Sequence, residues 1–122
     1  MALNLAKYLA PLRWGAALAT KKATATGAGG AVTINEVAGR ITTEALTTAA
    51  AAEISYTVTN SKVAAGDTVL CTVGNGTNST TPGPSLCGVT PAAGSFVVTI
   101  GNVNASALNG TLIIDFLVVK PA

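Results

Sequence analysis

The stretch that decides the fold is Thr111-Leu-Ile-Ile-Asp-Phe-Leu-Val-Val119, together with the segment before it, Gly94-Ser-Phe-Val-Val-Thr-Ile-Gly101. Both are rich in β-branched and aromatic residues, which favour strands over helices. In the earlier segment Phe96, Val98 and Ile100 share one face, which is the period-two pattern of a half-buried strand. The later segment is apolar at almost every position, and this predicts a central strand covered on both faces.

The chain before these segments repeats the strand pattern in shorter pieces. Glu53–Thr59 alternates most cleanly, with Ile54, Tyr56 and Val58 on one side. Further extended segments are predicted at residues 31–37, 40–43, 68–73 and 85–90. Residues 44–52 are Ala-rich, but a helix of this length is marginal, and we expect a strand and a loop there instead. Turns every 8–12 residues or so are typical of a sandwich or jelly roll. The sequence therefore predicts an all-β fold, an antiparallel β-sandwich or jelly roll with an extended N-terminal arm.

Residues 1–26 differ from the rest of the chain and are assigned to the N-terminal arm, with the β-sandwich domain at residues 27–122. Four of the seven Lys and Arg residues fall in the arm, and no acidic residue does. Apolar side chains recur there at helical spacing until Pro11, which interrupts a helix. Exposed apolar and aromatic clusters tend to mark contacts, so the arm is expected to dock onto a partner. The predicted anchors are Leu5, Tyr8, Leu9, Leu12, Arg13 and Trp14.

The N-terminal residues also have features of targeting and membrane segments. Lys7 and Arg13 interrupt the apolar run, which disfavours both a secretory signal and a transmembrane span. A mitochondrial-type presequence is also basic and free of acids, and it stays open as an alternative. The small residues from Ala23 to Gly30 predict a linker at the boundary of the compact domain.

The sequence contains no reactive constellation. It has no His, the commonest general base and metal ligand, and its five acidic residues are scattered without a paired spacing. A net charge of +2 is too small to indicate nucleic acid binding. Charged residues make up only 10% of the chain, which suggests that part of the surface is buried in an assembly. We expect no enzymatic activity, no metal and no cofactor.

Three polar features leave alternatives open. Asp115 lies inside an apolar strand and has two interpretations. It is either an outward-facing or hydrogen-bonded strand residue, or it forms a buried ion pair with Arg40 across a subunit interface. Cys71 and Cys87 are either buried thiols or a cross-strand disulfide. The four Asn-x-Ser/Thr triplets are interpreted as turn chemistry and not as glycan sites, and they begin at Asn75, Asn78, Asn104 and Asn109.

Four segments between Gly39 and Val119 resemble a β module of bacteriophage and other viral structural proteins. The segments are Gly39-Arg-Ile-Thr-Thr43, Tyr56-Thr-Val-Thr-Asn-Ser61, Thr90-Pro-Ala-Ala-Gly-Ser-Phe-Val-Val-Thr-Ile-Gly-Asn-Val103 and Leu108-Asn-Gly-Thr-Leu-Ile-Ile-Asp-Phe-Leu-Val-Val119. The resemblance implies a sandwich or jelly-roll module on a virion surface, and it implies no catalytic residues.

The resemblance, the short chain and the N-terminal arm favour a capsid decoration (cement) protein. Such a protein would bind the major capsid protein on the capsid surface and stabilise the assembled shell, with dimer and trimer both compatible and with neither nucleic acid nor membrane as a partner. The alternative is a tail fibre, spike or receptor-binding module whose function lies in the loop Gly74–Pro84. A third hypothesis is a secreted or organellar adhesion domain, with residues 1–26 as a processed leader.

Overall fold

A computed structural model describes residues 22–24 and 29–121. Within these ranges the chain forms strands, turns and loops and no helix. The strands are β1 (Lys22–Thr24), β2 (Ala31–Thr33), β3 (Ala38–Thr42), β4 (Glu53–Thr59), β5 (Thr68–Asn75), β6 (Pro84–Ala92), β7 (Ser95–Asn102) and β8 (Leu112–Val119). The prediction of an all-β chain is confirmed.

The strands form two four-stranded sheets. Sheet A has the order β1-β3-β8-β5, and sheet B has the order β2-β4-β7-β6. Neighbouring strands are antiparallel except for β1 with β3 and β2 with β4, which are parallel. The architecture is the predicted β-sandwich, with each sheet made mixed by one short parallel edge strand.

The core lies between the two sheets and is centred on aromatic residues. The rings of Phe96 on β7 and Phe116 on β8 meet across the sandwich, with centroids 5.1 Å apart and planes inclined at 57°. Tyr56 on β4 is fully buried beside Val58. Each large apolar side chain buried in this way contributes about 1.5–3 kcal/mol. The inward faces predicted for the Glu53–Thr59 and Gly94–Gly101 segments are therefore confirmed.

Strand β8 has the predicted central position, between β3 and β5. Its residues Leu112, Ile114, Phe116 and Val118 point into the core and are buried. The predicted coverage of both faces is not found, because the alternate residues 113, 115 and 117 lie on the outer side of sheet A and are partly exposed. A two-layer sandwich covers only the inner face of each sheet.

Two shorter elements differ from expectation. Strand β2 is shorter than the predicted segment 31–37, although Val32 and Ile34 are buried as an alternating strand requires. Strand β1 lies inside the segments assigned to the arm and linker, and it pairs with β3 from Lys22↔Arg40 to Thr24↔Thr42. Residues 44–52 form the expected loop, with Leu46 bridging to Gly110.

Candidate functional site

The six residues predicted as partner anchors, Leu5, Tyr8, Leu9, Leu12, Arg13 and Trp14, lie outside the described residues. The nearest described element is β1, whose pairing fixes where this segment joins the sandwich. Lys22 is aligned with Arg40, Asp115 and Thr72 in one row across all four strands of sheet A. The N-terminal segment therefore enters the fold at a defined row of sheet A.

The outer surface of sheet A, which we call the A face, carries an apolar cluster near this entry point. In the next outward-facing row, the partly exposed Leu117 and the exposed Leu70 are aligned across β8 and β5, in line with the buried Ala38 of β3. Leu70 is 55% exposed, and Val119 in the following row is 37% exposed. A shallow depression of about 250 Å³ lies between β5 and β8 and is lined by Leu70, Cys71, Thr72, Asp115, Phe116 and Leu117. This surface is suited to an apolar contact.

A charge pair borders the cluster. The guanidinium of Arg40 donates to both carboxylate oxygens of Asp115, from Nε at 2.7 Å and from Nη2 at 2.8 Å. The hydrogen bond and charge of Asp115 raise the pKa of Arg40. Of the two alternatives for Asp115, the outward-facing, hydrogen-bonded one is confirmed. The buried ion pair across a subunit interface is wrong, because the pair with Arg40 joins β3 and β8 of one sheet and is partly exposed. The pair neutralises the Asp115 charge on the A face.

The second candidate, the loop Gly74–Pro84, is fastened to the segment before β8. The backbone amides of Gly76 and Asn78 both donate to the carbonyl of Thr111, at 2.9 and 3.2 Å. Ser79 N donates to Asn109 Oδ1, and Asn109 N donates to Asn78 Oδ1. Most of residues 76–81 are exposed, so the loop presents polar side chains on a fixed backbone.

Asparagines fasten the loops at this end of the sandwich. Asn102 Nδ2 donates to the carbonyls of Thr48, Ala49 and Ser106, while its Oδ1 accepts from Asn104. The Nδ2 groups of Asn78, Asn104 and Asn109 donate to Asn75 Oδ1, Asn102 Oδ1 and Ser79 Oγ. These bonds agree with the interpretation of the triplets as turn chemistry. Asn102 itself was missed, because no local pattern distinguishes it from other loop asparagines.

The two cysteines are not bonded to each other. Cys71 points inward from β5, and burial raises the pKa of its thiol to about 12. Cys87 is exposed at the irregularity between Leu86 and Gly88, where the register of β6 shifts against β7. The Cys87 thiol lies against the backbone of Gly101, where an added Cβ would be only 2.7 Å from Cys87 Sγ. The shift turns Cys87 outward, so that neither predicted alternative, a buried thiol or a cross-strand disulfide, holds for it, whereas the Cys71 thiol is packed against the core.

One acidic group is held against the core. Tyr56 Oη donates to Glu44 Oε1 at 2.8 Å, and the buried Oε2 of Glu44 has no hydrogen-bond partner.

Residues 22–24 and 29–121 contain no group of three His, Cys, Asp or Glu side chains able to hold a metal ion. Over the same ranges no helix is long and apolar enough to cross a membrane. Comparison with known protein families, curated proteins and solved structures finds no match to this chain.

Proposed function

We propose that the chain is a virion structural protein, a capsid decoration (cement) protein that binds and stabilises the assembled major capsid shell. The observation that carries this proposal is the attachment of the N-terminal segment to the sandwich through β1. Pairing of Lys22–Thr24 with β3 anchors a basic, apolar segment of 21 residues to a rigid β domain. Such a segment reaches up to about 70 Å when extended, enough to contact a neighbouring subunit.

Stabilisation by such a protein follows from mass action. A ligand that binds only the assembled shell shifts the equilibrium towards the shell, and each tenfold excess over its dissociation constant adds about 1.4 kcal/mol. The aromatic side chains and Arg of the segment are the residue types that often carry interface energy. The anchors assigned to this contact are Leu5, Tyr8, Leu9, Leu12, Arg13 and Trp14.

The test is removal of residues 1–20, a truncation that keeps β1. We expect the shortened chain to fold, with the circular dichroism of a β domain, and to lose co-sedimentation with shells of the major capsid protein. A matched control is Leu86→Asp, which changes an exposed apolar residue on sheet B and should bind shells like the intact chain. Wild-type occupancy by the truncated chain would contradict the proposal.

The alternative is a receptor-binding or tail-fibre module that acts through the loop Gly74–Pro84. The observation in its favour is the fixed backbone of this loop, which is held to residues 109–111 by the hydrogen bonds described above. Preorganised loops lose less conformational entropy when they bind. Labelling of intact particles separates the two proposals: a decoration protein is present in many copies over the head, and a fibre module in a few copies at the tail.

A further inference from the structure

We propose that, in the free protein, the A face is the docking site for the chain's own N-terminal residues 1–21, with apolar side chains of residues 8–14 covering Leu70 and Leu117. The proposal concerns the isolated chain and does not depend on its decorating a capsid. On a capsid, the same residues would leave this face for the neighbouring subunit.

The first argument is the composition of β8. Apart from Asp115, this strand is apolar on both sides, but the core covers only one of them. Ile113 and Leu117 point outward beside the paired Arg40 and Asp115, which leave no net charge at the centre of the face. Central strands that are apolar on both faces are typical of sheets with a second layer above them.

The second argument is the position of exposed apolar side chains. Among the described residues five large apolar side chains are exposed, and two of them, Leu70 and Val119, lie on the A face. Leu70 is near the start of β5 and Val119 ends β8, and the pairing of Leu70 with Leu117 and of Thr68 with Val119 places both beside the partly exposed Leu117. Contiguous exposed apolar patches mark interaction sites.

The third argument is where the N-terminal segment enters. Because β1 is parallel to β3, its first residue, Lys22, lies at the end of the strand that is nearer to the row of Ala38, Leu117 and Leu70, where the cluster is found. Crossing from β1 to β5 covers three strand spacings, about 15 Å. Trp14 precedes Lys22 by eight positions, which span up to about 26 Å when extended, so Trp14 is able to reach β5.

The fourth argument is chemical fit. The segment is rich in Leu and Ala, carries Tyr8 and Trp14, and contains no acidic residue. The depression between β5 and β8, about 250 Å³, is smaller than the roughly 300–1,000 Å³ of sites for drug-sized ligands and is suited to one large side chain. The basic residues of the segment meet a face whose single acid is already paired, so apolar burial is the expected driving force.

Trp14 is the only tryptophan of the chain, so its fluorescence reports directly on this contact. We expect the full-length protein at low micromolar concentration to show blue-shifted emission and weaker acrylamide quenching than a peptide of residues 1–21. Leu70→Asp or Val119→Asp, each at an exposed position, should return both properties to the peptide values. Trypsin cleavage after Lys7 and Arg13 should become several-fold faster in both variants.

The control is Leu86→Asp, which places the same charge at an exposed apolar position of edge strand β6 and should leave the emission unchanged. Circular dichroism establishes that each variant is folded. Peptide-like emission of the unmodified protein, or emission indifferent to both substitutions on sheet A, would overturn the proposal. A blue shift lost on dilution would overturn it as well, because it would assign the contact to a second copy of the chain.

Discussion

Gly39 is the residue on which the closeness of the two sheets depends most directly. It lies on β3, and a Cβ built at this position would approach Ile34 Cδ1 to 2.6 Å and the Phe116 ring to 2.7 Å. These distances are far below van der Waals contact, so any side chain here must displace the core. We expect Gly39→Ala to lower the free energy of unfolding by about 1–3 kcal/mol, the usual cost of overpacking. Urea denaturation followed by circular dichroism measures the change.

Gly74→Ala provides the control for that substitution. Gly74 also lies on a strand that pairs with β8, but a Cβ there meets no atom within 4 Å. Its replacement should be neutral or slightly stabilising, since Ala loses less backbone entropy than Gly on folding. Equal urea midpoints for the two variants would mean that the core around Gly39 accommodates a methyl group without cost, contrary to this argument.

At the scale of elements, Asn102 joins the end of β7 to two loops. Its amide donates to the carbonyls of Thr48 and Ala49 in one loop and of Ser106 in the other, at 2.9–3.0 Å. Asn102→Asp keeps the shape but replaces the donor with a carboxylate that faces three carbonyls. We expect a loss of about 3 kcal/mol or more in the free energy of unfolding, because buried polar groups would be left unpaired and a charge would be buried. Denaturant titration at pH 7 measures it.

Asn35→Asp is the matched substitution. Asn35 is exposed, and its Oδ1 accepts from Ser61 N, a bond that a carboxylate also makes. Its effect should stay within about 0.5 kcal/mol, as for most surface changes. If Asn102→Asp were as mild, the two loops would be held by contacts other than this amide.

The longer strands were predictable because alternation alone specifies them. Strands β4 and β7 carry an unbroken period of two, and their inner faces are those expected from Tyr56, Val58, Phe96 and Val98. Strand β8 was predictable as a central strand. Whether its outer side is covered is not encoded in the residues of β8, since the composition of a strand indicates which environment suits it and not what occupies that environment.

Other features depend on tertiary context that alternation does not carry. Strand β1 is three residues of a basic, small-residue segment, and it is a strand only because β3 offers it a partner. The orientation of Cys87 depends on the register shift after Leu86, which reverses the faces of the residues around it. An outward-facing, hydrogen-bonded Asp115 was among the predictions from the sequence, but the placement of its partner Arg40 on the neighbouring strand of the same sheet depends on the sheet order.

At the scale of the whole molecule, two weak acids packed within the sandwich link its stability to alkaline pH. Burial raises the pKa of Cys71 from 9.0 to about 12, and burial with the hydrogen bond to Glu44 raises the pKa of Tyr56 above its ordinary 10.0. Both groups are neutral when protonated, and the folded state holds their protons to higher pH than the unfolded chain. Their contribution to stability is therefore complete below about pH 9 and is lost as pH rises further.

We expect the free energy of unfolding to decline from about pH 9, where the unfolded chain begins to release the Cys71 proton. The decline should become steeper above about pH 10, where the unfolded chain also releases the proton of the Tyr56 hydroxyl. Each group adds a slope of at most about 1.4 kcal/mol per pH unit. In Cys71→Ala the decline should begin only near pH 10, whatever constant offset the smaller side chain introduces. Cys87→Ala leaves the inward thiol in place and should keep the earlier onset. Denaturant titrations between pH 7 and 11 measure these profiles, and identical profiles for the unmodified chain and Cys71→Ala would show that the Cys71 thiol is not protected from solvent in the folded state.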